Sequence, residues 1–216
     1  MKTSEVTVVW ADFGGVLTPP VDDALRQVAD AAGIPVHELL AGIRRLAARE
    51  GTDLLEPLER GLISQREWGR RLTAELAPAY VPRVDLGDFG DYWYAGRPLN
   101  RELHDALVAL RGRGFRLGML TNSVHEWEVH RSAMIPDQTV FDRVIKSHET
   151  GLRKPEPEIY RLAEEAFGAT PRECLLIDDT EVNCSAAEAR GWRAVRHRDN
   201  ASTLAALGAL LGGRER

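Results

Sequence analysis

The sequence predicts an α/β protein: a doubly wound parallel sheet with a helical insertion after its first strand. Three observations carry that expectation. A short, mostly β-branched run, Val6–Ala11, ends in Asp12-Phe13-Gly14-Gly15, which reads as a buried strand entering a tight turn. From about Val21 to Gly96 apolar residues recur at helical spacing, with no convincing strand. After Asn100 short apolar runs alternate with helical patterns, the rhythm of parallel strands covered on both faces.

In the insertion, Val21–Ala32 and Val36–Glu50 place apolar residues three and four apart. Ser64-Gln65-Arg66-Glu67 has the form of a capping box and predicts a helix through Leu76. Pro78 and Pro82 break the chain before a short helical stretch over Asp85–Trp93. The alternating part then runs helix Arg101–Arg111, strand Phe115–Leu120, helix Val124–Arg131 and strand Arg143–Ile145. It continues with helix Glu156–Phe167, strand Cys174–Ile177, helix Val182–Arg190, strand Trp192–Val195 and helix Ala201–Leu211. The expected division is a core of residues 1–18 and 97–216 and a helical unit of residues 19–96.

Composition narrows the function classes. Apolar residues are 44% and charged residues 28%, as in a globular protein with a packed core. The net charge of −5 gives no electrostatic reason to expect nucleic acid or a membrane surface as partner. No apolar run approaches the ~20 residues that span a bilayer, and the polar opening Met1–Glu5 shows no signal peptide. Cys174 and Cys184 lack metal-ligand spacing and read as reduced thiols of a cytoplasmic protein. The oligomeric state is open, a homodimer included. Only three of the 28 basic residues are lysines, Lys2, Lys146 and Lys154, so a lysine in a telling place carries weight.

In an open parallel sheet, ligands bind at the carboxyl ends of the strands. That rule selects Asp12, Thr121-Asn122-Ser123, Lys154 in the loop before helix Glu156–Phe167, and Asp178-Asp179. Together they suit phosphoryl transfer. Three carboxylates, Asp12, Asp178 and Asp179, supply the oxygen ligands that magnesium prefers. A carboxylate is a competent covalent nucleophile for phosphoryl groups. Lys154 adds a point charge, and the Thr121 hydroxyl a hydrogen bond, against phosphoryl oxygens. Singly each has a plainer reading, as turn former, helix cap or solvated charge; their conjunction at one rim is what points to a site.

The order Asp12-Phe13-Gly14-Gly15-Val16-Leu17, Leu120-Thr121-Asn122-Ser123, Arg153-Lys154-Pro155-Glu156-Pro157, then Leu176-Ile177-Asp178-Asp179 with Asn183, resembles the haloacid dehalogenase superfamily of hydrolases. The resemblance spans about Val6 to Val195. It implies a Rossmann-like core whose insertion is an α-helical, C1-type cap, and a Mg2+-dependent phosphatase acting on a small phosphorylated metabolite through an aspartyl-phosphate. It also implies Asp12 as nucleophile and metal ligand, and the Gly14 carbonyl, Asp178 and Asp179 in the metal site, with Asp179 the direct ligand of the pair. Thr121 and Lys154 would hold the phosphoryl group, with Gly15 and Asn122 as substrate-binding positions.

One departure stands out. Phosphatases of this family usually carry a second aspartate two residues after the nucleophile, as acid and base, and here that place is Gly14. General acid–base help is typically worth about 10²–10⁴-fold. The glycine therefore favours a leaving group that departs easily, such as a sugar 1-phosphate or acyl phosphate, or an acid borrowed from elsewhere. The Asp-x-Gly form resembles a subgroup that includes sugar phosphatases. A 2-haloacid dehalogenase and a non-catalytic phosphate-binding or regulatory protein are the alternatives. The former needs no magnesium and characteristically has an aromatic residue at the position of Gly14. Arg44, Arg45, Arg49 and Arg60 of the insertion are candidate substrate contacts, against the plainer reading of solvated helix faces. His125 is a stand-in acid–base or, more simply, a surface residue, and Trp10, Trp68, Trp93, Trp127 and Trp192 are expected to pack core or cap.

Overall fold

The computed structural model describes residues 6–135 and 137–212; Lys2 and the Met1–Glu5 segment lie outside the described residues. Strand β1 (Val8–Ala11) is followed by helices α1 (Val21–Ala32), α2 (Val36–Glu50), α3 (Glu56–Glu59), α4 (Gln65–Glu75) and α5 (Phe89–Tyr94). The chain returns through α6 (Arg101–Gly112) to β2 (Arg116–Thr121), then α7 (Glu128–Met134), β3 (Arg143–Lys146), α8 (Ser147–Thr150) and α9 (Pro157–Phe167). It ends with β4 (Cys174–Asp178), α10 (Glu181–Ala189), β5 (Arg193–Arg196) and α11 (Asn200–Leu211). The five strands form one parallel sheet in the order β3-β2-β1-β4-β5. This is the doubly wound α/β fold that alternation in the sequence predicts.

Strand alternation builds the two faces. Val9 and Ala11 of β1 join Leu117, Met119, Leu175 and Ile177 under α6 and α11. Val8 and Trp10 join Leu120, Leu176 and the α9 residues Ile159 and Tyr160 on the other face. Gly118 of β2 is required there, because a Cβ would stand 2.2 Å from the Trp10 ring. Burying each such apolar side chain contributes roughly 1.5–3 kcal/mol against leaving it in water. Helices α1, α2, α4 and α5 have their own apolar cluster, with Val28, Leu39, Ile43, Trp68 and Phe89 at its centre. That cluster reaches the sheet side through Val124 and Trp127.

A charged seam ties the helical segment to the loop before α9. Arg60 donates to the Gly151 carbonyl at 2.6 Å and pairs with Glu156. Arg153 pairs with Asp53 at 3.0 Å and Glu59 at 2.9 Å. The expected capping box at Ser64 is only half formed: Ser64 Oγ accepts from the Glu67 N–H, while the Glu67 carboxylate turns to Arg70 and Arg71. The expected helix Val124–Arg131 opens as a 3-10 turn over His125–Trp127 and continues to Met134. Among the described residues, no helix is long and apolar enough to cross a membrane. Cys174 and Cys184 are buried free thiols.

Candidate active site

Strand order places the site. The chain moves from β1 to β2 and β3 on one side, then crosses to β4 and β5 on the other, so the switch falls between β1 and β4. Ala11 lies level with Ile177, and the Asp12 N–H donates to the Ile177 carbonyl at 2.9 Å. Asp12 and Asp178 therefore leave the sheet side by side. Oxygens of Asp12, Asp178 and Asp179 lie within 4.8 Å of one another.

Lys154 is the centre of this arrangement. Its ammonium is 1% exposed, 2.6 Å from Asp178 Oδ2 and 3.0 Å from Asp12 Oδ1. A buried ammonium is sustained only by such pairing. Asn122 holds its backbone from both sides, accepting from the Lys154 N–H at 2.8 Å and donating to the Lys154 carbonyl at 2.9 Å. The Asn122 side chain, expected to bind substrate, thus places Lys154 and also borders the cavity over Asp12. Asp178 Oδ1 accepts from the Thr180 N–H and Asn183 Nδ2 at 2.9 and 3.0 Å. Both Asp178 oxygens are engaged by neighbouring side chains, whereas Asp179 Oδ1 accepts from the Thr180 hydroxyl at 3.2 Å.

Gly15, also expected to bind substrate, stands directly against the acidic cluster. Its φ is +72°, and a Cβ there would stand 2.2 Å from Asp179 Oδ2. Its N–H donates to Thr18 Oγ1 at 3.1 Å. Glycine is what lets the Asp179 carboxylate come so close to the turn. Gly14 is unlike it: a Cβ would meet Val21 Cγ2 at 3.8 Å, an ordinary contact, so a side chain fits at this position.

Electrostatics follow from crowding. Burial pushes Asp12 up to about 7; the Lys154 ammonium opposes this and Asp178 and Asp179 add to it. Asp179 is also raised, by burial and then by Asp178. Burial pulls Lys154 down, but Asp12 and Asp178 outweigh it and hold the ammonium above the ordinary lysine range. Three converging carboxylates, two of them reluctant to ionise, suit a hard divalent cation. The donor set fits magnesium, with Asp179 the freer carboxylate of the pair.

A cavity of about 160 Å3 opens over Asp12 and is bordered by Gly14, Thr121, Lys154 and Asp179. The helical segment supplies its other wall, with Leu55, Glu59, Trp93 and Tyr94. Trp93 and Trp127 stack there, ring centroids 5.1 Å apart. Trp10, Trp68 and Trp192 are buried packing residues. None of the four candidate arginines borders the cavity: Arg45 pairs with Glu38, Arg49 with Glu75, Arg60 with Glu156, and Arg44 is exposed. His125 is exposed and outside the cavity too. Glu59 and Tyr94 were missed because neither stands at a strand end. The adjacency of Glu59 to Arg60 was the only sequence signal near either.

The pattern of the haloacid dehalogenase-like hydrolases matches residues 6–191. The chain belongs to that family. It is 28% identical over 213 residues to the Rattus norvegicus protein named Bifunctional epoxide hydrolase 2, covering 93% of this chain but 38% of the relative. It thus spans well under half of that relative, and likewise 38% of the Mus musculus one. Phosphatase MT3486 of Mycobacterium tuberculosis is 28% identical over 226 residues, covering 96% of this chain and 98% of the relative. Among solved structures, the HAD family enzyme BT-2542 of Bacteroides thetaiotaomicron, in complex with magnesium and inorganic phosphate, is similar with a TM-score of 0.65 at 22% identity. The match covers 92% of this chain and 98% of that one. The L-2-haloacid dehalogenase of Xanthobacter autotrophicus has a TM-score of 0.64 at 20% identity, covering 97% of this chain and 84% of that one. At these identities the two structures share the fold alone.

Proposed function

We propose that the chain is a magnesium-dependent phosphatase that hydrolyses a small phosphorylated metabolite, a sugar phosphate being the favoured class, through an aspartyl-phosphate on Asp12. The observation that carries the reading is the buried Lys154 ammonium bridging Asp12 and Asp178, beside Asp179, at the cavity between the sheet and the helical segment. A cationic point held against carboxylates is wasted on a neutral substrate and matches a phosphoryl dianion.

Asp12 Oδ1 is fixed by the Phe13 N–H at 2.7 Å and by Lys154, which leaves Oδ2 to attack phosphorus. Lys154 Nζ and the Thr121 hydroxyl hold phosphoryl oxygens, and Asn122 keeps Lys154 in place. Asp12, the Gly14 carbonyl and Asp179 would hold magnesium, with Asp178 acting through water, since both its oxygens are engaged. When bound, the ion screens the nucleophile from the phosphate and neutralises charge that develops in transfer. The helical segment acts as the cap: it walls the cavity, excludes water and reads the substrate.

A panel of phosphorylated metabolites, assayed with and without magnesium, tests this reading. Phosphate release that needs magnesium and disappears in Asp12→Asn supports it. Consumption of a 2-haloacid in excess chelator, with no phosphate released from the panel, replaces it with the dehalogenase reading.

A further inference from the structure

Gly14 cannot exchange a proton, so release of an alkoxide from this cavity needs a donor placed elsewhere. Among the described residues bordering the cavity, the titratable ones are Asp12, Lys154 and Asp179 of the central cluster, together with Glu59 and Tyr94. The Tyr94 phenol is driven far above its ordinary range, by burial and by Asp12 against the pull of Arg97. It holds its proton too tightly to give one up and retrieve it in each cycle.

Glu59 is placed differently. It closes α3, so it enters the cavity from the helical segment, whereas Asp12 enters from the sheet. Its Oε2 takes both contacts from Arg153, from Nε and Nη2 at 2.9 Å each. Its Oε1 accepts no hydrogen bond from the described residues. Arg153 immediately precedes Lys154, so one loop anchors both the ammonium beside Asp12 and the Glu59 carboxyl that borders the same cavity. We infer that Glu59 is the general acid–base of this site, supplied by the helical segment in place of the aspartate missing at Gly14. This rests on the phosphatase reading above.

The proton balance is simple. As Asp12 Oδ2 forms its bond to phosphorus and the bond to the leaving oxygen breaks, the Glu59 carboxylic acid passes its proton to that oxygen, and the product alcohol departs. The Glu59 carboxylate then takes a proton from a water whose oxygen attacks phosphorus. The Asp12–phosphorus bond breaks, returning Asp12 as carboxylate, phosphate as product and Glu59 as acid. Burial raises Glu59 above the ordinary carboxyl range and Arg153 pulls it back, which suits a group that is protonated for half of the cycle.

The test uses the whole protein with magnesium and two substrates. One is an alkyl phosphate, whose alkoxide needs a proton; the other is 4-nitrophenyl phosphate, whose phenolate leaves without one. Glu59→Gln keeps the side-chain shape and is expected to lower kcat on the alkyl phosphate by about 10²-fold or more. Its first-turnover burst of nitrophenolate should keep its wild-type rate, while later turnovers slow for want of the base. Since a side chain fits at Gly14, Gly14→Asp in the Glu59→Gln background should restore alkyl phosphate turnover. The gain from Gly14→Asp should be larger in the Glu59→Gln background than in wild type, which already has its acid; an equal gain in both would mark Glu59 as purely structural and overturn the assignment. Should Glu59→Gln not fold, wild type alone decides: kcat on the alkyl phosphate should fall at alkaline pH, with no matching fall in the nitrophenolate burst. Unchanged alkyl turnover in Glu59→Gln, an equal loss in the burst, or a missing alkaline limb overturns the assignment and leaves the phosphatase reading standing. A wild type that hydrolyses neither substrate, nor any metabolite in the panel, removes the phosphatase reading and Glu59's role with it.

Discussion

Replacing Gly15 by alanine probes the acidic cluster without touching a charge. The added Cβ would stand 2.2 Å from Asp179 Oδ2 and 2.7 Å from its Cγ, so the carboxylate must retreat. The backbone at Gly15 sits at φ +72°, a conformation that costs a side-chain-bearing residue roughly 1–2 kcal/mol. Two separable effects should follow. Without magnesium, urea unfolding should show a loss of about 1–2 kcal/mol from backbone strain. Calorimetric titration should show magnesium affinity about 10–100-fold weaker, the usual cost of disturbing what orients a ligand. That corresponds to about 1.4–2.7 kcal/mol of binding free energy. If stability falls but affinity does not, Asp179 is not a direct ligand. If neither moves, the close approach of Gly15 and Asp179 has no energetic consequence and the reasoning fails.

Two further outcomes follow from the same cluster. Lys154→Met leaves Asp12 and Asp178 buried and facing one another without their cation. It should abolish turnover and cost about 3–5 kcal/mol in denaturant unfolding, and a variant as stable as wild type would contradict the pairing. The carboxyl of Asp12 is raised from 3.8 to about 7, so unliganded protein gains stability from this group at low pH and loses it as pH rises through 7. Magnesium needs the carboxylate, so its affinity should rise between pH 6 and pH 8 with protons released on binding. Calorimetry in buffers of different ionisation heat measures both, and an affinity flat across that range would refute the raised Asp12.

Long periodic elements were legible in the sequence, and short ones were not. Helices α1 and α2 have the expected limits, because over twelve and fifteen residues the apolar spacing is unambiguous. The four-residue helices α3 and α8 complete barely one turn and leave no period to read. Strand ends drifted by a residue or two, as at Phe115–Leu120 against Arg116–Thr121, because pairing rather than composition ends a strand. The rim of Asp12, Thr121, Lys154 and Asp178-Asp179 was readable because parallel topology gathers strand ends. What lay beyond reach was set by tertiary contact. The close approach of Asp179 to Gly15 leaves no mark in residue spacing. Nor does the grip of the Asn122 amide on both the N–H and the carbonyl of Lys154. Of the candidate arginines in the helical segment, Arg60 turns to Glu156, and its neighbour Glu59 borders the cavity.

The chemistry assigned to Asp12 is met most directly by mass spectrometry of enzyme quenched with acid during turnover in heavy-oxygen water. The peptide containing Asp12 should carry one phosphoryl group, absent from Asp12→Asn, and the heavy oxygen should appear in inorganic phosphate and not in the Asp12 carboxylate. Heavy oxygen built into Asp12 itself, or turnover persisting in Asp12→Asn with no adduct in the wild type, would contradict an aspartyl-phosphate at the end of β1.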